Sequence, residues 1–121
     1  MNEDKVWTEA RDECLSQQVL AFRDYPPLFV FVLFQADLAS IHSSEENQFV
    51  TDLSGGRRFW LGGKIGWSWS DGTPWDYQNW EPGQPSGGEG CLENLATAHG
   101  TWNDRGCTNM GNGDLRYVCK K

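Results

Sequence analysis

The most informative part of this chain consists of two short stretches, QPSGGEGC at residues 84–91 and WNDRGC at residues 102–107. Each ends in a cysteine, and a short apolar segment separates them. Hard cations such as Ca²⁺ are bound by about six to eight oxygens from carboxylates, amides and backbone carbonyls. The stretches offer five oxygen-bearing side chains, which are Gln84, Ser86, Glu89, Asn103 and Asp104. They predict a surface cation site, and a cation held in this way can bind neighbouring hydroxyls of a sugar.

The composition is that of one small, acidic domain rich in tryptophan. The chain has 121 residues, enough for a single modest core. Lys and Arg number 10 against 17 Asp and Glu, which gives a net charge of −7. An acidic surface repels phosphate backbones and anionic membranes, so nucleic acid is not an expected partner. Seven Trp and 14 Gly indicate a loop-rich fold with aromatic anchors and argue against disorder.

The cysteines indicate a disulfide-bonded domain. They are Cys14, Cys91, Cys107 and Cys119. None forms a Cys-x-x-Cys pair, so a zinc site or a thioredoxin-type redox motif has little support. An even count in a small, loop-rich domain predicts two disulfides and an oxidising, extracellular compartment. The residues alone leave all three pairings open.

The beginning of the sequence lacks the leader that a secreted chain carries. Residues 1–5 are followed by no apolar signal-peptide core. We therefore expect either a processed or truncated fragment or a variant with an altered start. The strongly apolar run at residues 28–34 is too short to span a bilayer, so no transmembrane segment is expected.

Two helices are predicted in the first half of the chain. Residues 5–17 form the first, because Trp7, Ala10 and Cys14 recur at helical spacing and share one face. The second helix opens with a capping-box pattern and ends at a Ser-Gly-Gly sequence. Its capping residues are Ser43 and Glu46, and its predicted inward face consists of Phe49, Val50 and Leu53.

Short strands separated by turns are predicted beyond the second helix. They cover residues 59–62, 67–70, 91–95, 100–102 and 115–119. Two helices followed by an antiparallel sheet give an α+β class, with a long irregular loop before Cys91. In the strand at residues 91–95, alternation predicts that one of Glu93 and Asn94 points outward and the other inward.

Residues 19–35 do not fit the predicted order of two helices followed by an antiparallel sheet. Residues 28–34 are apolar on both faces and follow a Tyr-Pro-Pro sequence, which is typical of a buried strand preceded by a turn. A second hypothesis is an in-frame retained intron, because valine codons begin with GT, a glutamine codon is CAG, and phenylalanine and leucine codons are rich in pyrimidines. A genuine insertion and a retained intron both stay open.

The order of motifs along the chain resembles the C-type lectin domain family. The motifs are WLGG at 60–63, WSDG at 69–72, NW at 79–80, WNDRGC at 102–107 and YVC at 117–119. WTEARDEC at 7–14 and ADLASIHS at 36–43 are similar to the family's first helix and the strand after it. The resemblance implies one C-type lectin-like domain over residues 1–121. It lacks the family's N-terminal strand and carries residues 19–35 as an atypical insertion.

The resemblance also implies a disulfide pairing and a calcium site. Cys14 would pair with Cys119 and Cys91 with Cys107, while Pro85 would follow a cis peptide bond. The family's principal calcium ligands, which also bind the sugar, fall on Gln84, Ser86, Glu89, Asn103 and Asp104.

Ser86 departs from the family's pattern, in which an Asn or Asp stands at this position. A short neutral hydroxyl is a poorer calcium ligand, so we expect weak binding, with a dissociation constant of about 10⁻⁴–10⁻³ M. Gln84 favours a galactose-type sugar over a mannose-type one, whereas Ser86 belongs to neither pattern.

The expected function is therefore that of a secreted, weakly calcium-dependent lectin for extracellular or microbial glycans, with a role in innate immunity. The alternative is a lectin-like domain that binds protein or another ligand without calcium, through the surface around Trp75 and Gln84. An enzyme is not expected, because His42 and His99 have no nucleophile pattern or third metal ligand beside them.

Overall fold

The computed structural model describes residues 5–25, 28–88, 90–109 and 115–120, with residues 18–25 and 28–35 described by their backbone alone. Two helices lie in these ranges, α1 (Trp7–Leu15) and α2 (Ser44–Leu53). The strands in them are β1 (Gln18–Tyr25), β2 (Leu28–Gln35), β3 (Asp37–Leu38), β4 (Phe59–Lys64), β5 (Ser68–Trp69), β6 (Cys91–Asn94), β7 (Trp102–Arg105), β8 (Arg116–Tyr117) and β9 (Cys119–Lys120). The predicted α+β class is confirmed.

The central sheet has the strand order β5-β4-β6-β7, with neighbouring strands antiparallel. Strand β8 adds to β4 in parallel, and β3 pairs with β9 in a separate two-stranded sheet. One predicted strand, residues 100–102, is shifted in the structure, where β7 begins at Trp102. The predicted strand 115–119 is divided into β8 and β9.

Apolar side chains cover both faces of the central sheet. Successive side chains of a strand point to opposite faces, so Phe59 and Leu61 lie in one cluster and Trp60 in the other. The first cluster also contains Trp69, Leu92 and Trp102, whereas the second contains Trp7, Cys91 and Tyr117. Because both faces are covered, the prediction that one of Glu93 and Asn94 points outward is wrong, and both are fully buried.

Helix α1 buries the predicted face, formed by Trp7, Ala10 and Cys14. Helix α2 begins as predicted, because the side chain of Ser43 accepts a hydrogen bond from the Glu46 backbone amide at 3.0 Å. The carboxylate of Glu46 accepts instead from the backbone amide of His42, at 2.8 Å.

The predicted inward face of α2 is only partly correct. Val50 is buried, but Phe49 and Leu53 are 66% and 57% exposed. The helix instead buries Asn47 and Thr51. The side-chain amide of Asn47 donates to the carbonyl of Gly100, a residue with φ +62° where any Cβ atom would clash with the Thr51 hydroxyl. A polar contact with a tight glycine turn therefore decides which side of this helix is buried.

Both disulfides that the resemblance implies are present. Cys14 is bonded to Cys119, which ties α1 to β9, and Cys91 is bonded to Cys107 across the ends of β6 and β7. Within the described ranges, neither helix has the length and apolar character needed to cross a membrane.

Residues 18–35 form a hairpin of their own. Strands β1 and β2 pair antiparallel, from Gln18 opposite Gln35 to Tyr25 opposite Leu28. The sequence predicts a strand after the Tyr-Pro-Pro turn, and β2 occupies that position. Pro26 and Pro27 of the predicted turn lie outside the described residues.

Candidate functional site

The loop before β6 is attached to β7 by backbone hydrogen bonds. The amide of Glu81 donates to the carbonyl of Trp102 at 2.9 Å, and the amide of Gln84 donates to the carbonyl of Glu81 at the same distance. The Gln84–Pro85 peptide bond is cis. The chain then reaches Ser86 and Gly87 beside the side chain of Asp104.

The Asp104 carboxylate is buried and accepts hydrogen bonds from this loop. The backbone amide and the hydroxyl of Ser86 lie 3.0 and 3.2 Å from Oδ1, and the amide of Gly87 lies 3.2 Å from Oδ2. Gly87 has φ +90°, a conformation that favours glycine. Burial acts to raise the pKa of Asp104, but the hydrogen bonds from Ser86 and Gly87 outweigh it and hold the pKa below its ordinary value. The site therefore contains an ionised carboxylate at neutral pH.

Gln84 places a carbonyl oxygen in a buried position. Its Oε1 atom has no hydrogen-bond partner among the described residues. A buried polar atom without a partner is unfavourable by about 1–3 kcal/mol. An amide oxygen of this kind suits a hard cation, which needs oxygen ligands.

Asn103 lies on the opposite face of β7 from Asp104. Its side-chain amide donates to Oε1 of Glu93 at 2.9 Å. Glu93 is fully buried and forms ion pairs of 2.7 Å with Arg58 and with Arg105. The sequence-based prediction of this site did not include Glu93, although a charged residue between Leu92 and Leu95 is a signal of a buried ion pair.

The five predicted ligands are thus brought together only in part. Ser86 contacts Asp104 of β7, Gln84 lies two residues before Ser86 on the loop, and Asn103 contacts Glu93. Glu89 lies outside the described residues. Among the residues that are described, no group of three His, Cys, Asp or Glu side chains could hold a metal ion.

An open cavity of about 400 Å³ lies on the loop between β5 and β6. It is lined by Trp75, Asp76, Tyr77 and Gln78. The ring of Trp75 stacks on that of the buried Trp69, with centroids 4.5 Å apart, and its Nε1 donates to Gln78 at 3.1 Å. The cavity therefore combines a fixed aromatic ring with a carboxylate and an amide.

His42 has hydrogen-bond partners like those of a catalytic histidine. Its Nδ1 lies 2.7 Å from Oδ1 of Asp76, and its Nε2 lies 3.1 Å from the hydroxyl of Ser40. The Ser40 side chain is fully buried, however, and its hydroxyl donates to Asp71. The Ser40 hydroxyl is buried and already donates to Asp71, so it is not placed to attack a substrate. We therefore interpret these hydrogen bonds as structural.

The family model of the lectin C-type domain matches residues 33–121 of this chain. The chain belongs to the C-type lectin domain family. A curated relative, a lectin from Pleurodeles waltl, is 35% identical over 129 aligned positions, which cover 96% of this chain. The chain spans 64% of the length of that relative.

Solved structures of C-type lectin domains have the same fold. The carbohydrate-recognition domain of cow CD23, crystallised in the presence of a GlcNAc2Man3 oligosaccharide, is 33% identical and superposes with a TM-score of 0.68. That match covers 95% of this chain and 78% of the other. A calcium-independent type II antifreeze protein is 35% identical, with a TM-score of 0.56 over 61% of this chain and 62% of its own. Similar domains thus include a carbohydrate-recognition domain and a protein that is independent of calcium.

Proposed function

We propose that this C-type lectin domain binds extracellular glycans through a weakly held Ca²⁺ ion at the loop from Gln84 to Asp104. Two observations carry the proposal. The loop holds a buried amide oxygen on Gln84 that has no partner among the described residues, and β7 holds a buried carboxylate on Asp104 that is ionised at neutral pH. Glu89, Asn103 and Ser86 are the remaining ligand candidates. The bound ion would supply coordination positions for neighbouring hydroxyls of a sugar.

Weak binding follows from the hydrogen bonds that Asp104 already makes. Calcium competes with the amides of Ser86 and Gly87 and with the Ser86 hydroxyl for the same two oxygens. Only Glu89 and Asp104 contribute formal negative charge to the ligand set. Since ligand charge tunes calcium affinity, we expect a dissociation constant of about 10⁻⁴–10⁻³ M. The two disulfides support an extracellular location, where calcium is abundant enough to occupy such a site.

The proposal is tested by calorimetric titration with Ca²⁺ and by elution of the domain from immobilised galactose and mannose with EDTA. Ser86→Asp adds a charged ligand to the site, and we expect it to tighten calcium binding at least about tenfold. Ser68→Asp, which adds the same charge on β5, is the control and leaves the affinity unchanged. The proposal is refuted if neither the wild type nor Ser86→Asp gives a heat of calcium binding and EDTA does not elute the domain from the immobilised sugars.

A second function is supported by the contact between Ser86 and Asp104. These hydrogen bonds give both oxygens of the carboxylate partners within the chain itself, so the loop is attached to β7 by protein groups. The cavity at residues 75–78 then offers a ligand surface that needs no ion. Under this alternative, EDTA leaves ligand binding unchanged, whereas Trp75→Ala abolishes it. Ligand binding that EDTA abolishes and Trp75→Ala leaves unchanged favours the calcium-dependent lectin.

A binding role is preferred over catalysis because the histidine network at His42 has an inaccessible hydroxyl. The relatives of the chain are lectins and lectin-like proteins. We propose that the domain is not an enzyme, that its partners are glycans, and that it acts in innate recognition of extracellular or microbial sugars.

A further inference from the structure

Glu93 and Asn103 face each other directly in the central sheet. They are partners in the antiparallel register of β6 and β7, so their side chains project from the same face. The amide nitrogen of Asn103 lies 2.9 Å from Oε1 of Glu93. Arg58 lies 2.7 Å from that same oxygen, and Arg105 lies 2.7 Å from Oε2. The carboxylate of Glu93 is therefore enclosed by hydrogen-bond donors on both oxygens.

An ionised carboxylate can only accept hydrogen bonds, and a guanidinium group can only donate them. The side chain of Asn103 has a donor end and an acceptor end of almost the same shape. Only its donor end can face Glu93, because the carbonyl oxygen would be repelled by the carboxylate at this distance. The Asn103 carbonyl oxygen must then point away from Glu93.

We infer that Glu93 is a positioning residue, which fixes the Asn103 amide so that its carbonyl oxygen is the end presented to a ligand. The consequence for calcium rests on the proposed function. A cation needs an oxygen acceptor at this position, and the NH₂ group would repel it. Outer residues that orient a metal ligand typically change the affinity by about 10- to 100-fold when replaced.

Glu93 is well suited to this role because it is itself held on both oxygens. Its side chain is fully buried, and its arginine partners come from residues before β4 and at the end of β7. The position of the carboxylate is set by the central sheet and does not depend on the loop at residues 84–90. The orientation of Asn103 is thus fixed before any ligand binds.

The test exchanges donors and acceptors across the pair. Glu93→Gln leaves one neutral oxygen for the three donors of Asn103, Arg58 and Arg105, and it removes the charge that repels the Asn103 carbonyl, so the Asn103 amide is no longer held in one orientation. In the double variant Glu93→Gln with Asn103→Asp, residue 103 presents an oxygen to a ligand whichever way its side chain turns, and the total charge equals that of the wild type. We expect Glu93→Gln to weaken calcium binding at least about tenfold. We expect the calcium dissociation constant of the double variant to be no more than about threefold above that of the wild type. Glu13→Gln, an exposed change of the same charge, is the control.

A second readout does not require calcium. In ¹H–¹⁵N spectra with EDTA, the Asn103 side-chain NH₂ signal is identified by its loss in Asn103→Asp. We expect one of its protons to be shifted downfield and protected from exchange in the wild type, and to lose both properties in Glu93→Gln. If Glu93→Gln does not fold, exchange protection of this NH₂ group in the wild type still tests whether Glu93 holds the Asn103 amide.

The outcomes separate the two proposals. An unprotected Asn103 NH₂ group in the wild type, or an unchanged signal in Glu93→Gln, overturns the role of Glu93. A signal that behaves as expected, in a domain that binds no calcium, confirms that Glu93 orients Asn103 and refutes the calcium-dependent function alone. Loss of calcium binding that the double variant fails to restore assigns Glu93 a merely structural role.

Discussion

The two faces of strand β7 differ in what holds the motif side chain. On one face, Asn103 contacts Glu93, a fully buried carboxylate that is paired with two arginines. On the other, Asp104 is held by Ser86 and Gly87, which are exposed loop residues. Buried ion pairs are strongly destabilising to break, whereas hydrogen bonds to an exposed loop can open locally. Any change that a ligand causes therefore belongs to the Asp104 face, and the Asn103 face provides a fixed reference.

We expect the greatest loss of stability from removing the carboxylate that holds the Asn103 face. Glu93→Ala leaves the guanidinium groups of Arg58 and Arg105 without their shared carboxylate. We expect the free energy of unfolding to fall by about 3–5 kcal/mol, because an uncompensated charge stays in the buried site. Guanidinium denaturation in EDTA measures this change. Glu13→Ala, on the exposed side of α1, should change it by less than about 0.5 kcal/mol. If Glu93→Ala loses no more unfolding free energy than Glu13→Ala, the ion pairs of Glu93 do not stabilise the Asn103 face.

The Asp104 face is tested by its dependence on pH. The folded-state pKa of Asp104 lies below its ordinary value, so the stability that its carboxylate contributes is complete above the unfolded-state pKa. This contribution is lost as the pH falls through the folded-state pKa. At pH 7 in EDTA we expect Asp104→Asn to reduce the free energy of unfolding by about 1–3 kcal/mol. Urea denaturation from about pH 7 to pH 3 should show this difference shrinking. A difference that stays constant or grows at low pH contradicts the prediction.

We expect a smaller loss of stability from a change in the loop itself. Ser86→Ala removes one donor from Asp104 but leaves the backbone amides of Ser86 and Gly87 in place. We expect a loss of about 0.5–1.5 kcal/mol in the metal-free domain, measured by urea denaturation. Ser68→Ala, at an exposed position of β5, is the matched control. If both variants lose the same amount, the Ser86 hydroxyl does not hold the carboxylate.

The features that the sequence predicts correctly are set by local chemistry or by a specific order of motifs. The Ser43 cap depends on residues three positions apart, and the start of α2 follows from it. The apolar spacing of Trp7, Ala10 and Cys14 likewise identifies the buried face of α1. The disulfide pairing is open on the residues alone, and only the resemblance to a family selects the pairing that the structure has.

The features that the sequence does not reveal depend on contacts between distant parts of the chain. Phe49 and Leu53 are apolar, but α2 packs with Asn47 and Thr51 against the turn at Gly100. Nothing near Asn47 in the sequence indicates that turn.

The role of Glu93 is hidden in the sequence for the same reason. Its partner Arg58 is 35 residues away in sequence, and the two meet only when β4 and β6 pair. Alternation alone assigns one of two neighbouring strand residues to solvent, which fails in a sheet that is covered on both sides.

The β1–β2 hairpin has a consequence for grafting foreign peptides into this domain. Its ends meet, because Gln18 is paired with Gln35 and the amide of Ala36 donates to the carbonyl of Gln17 at 3.1 Å. A segment whose two ends lie one strand spacing apart can be shortened, lengthened or exchanged without moving α1 or β3. The junction between residues 17 and 36 is therefore a natural cassette site, where an epitope or a second binding loop could be displayed on a disulfide-bonded scaffold.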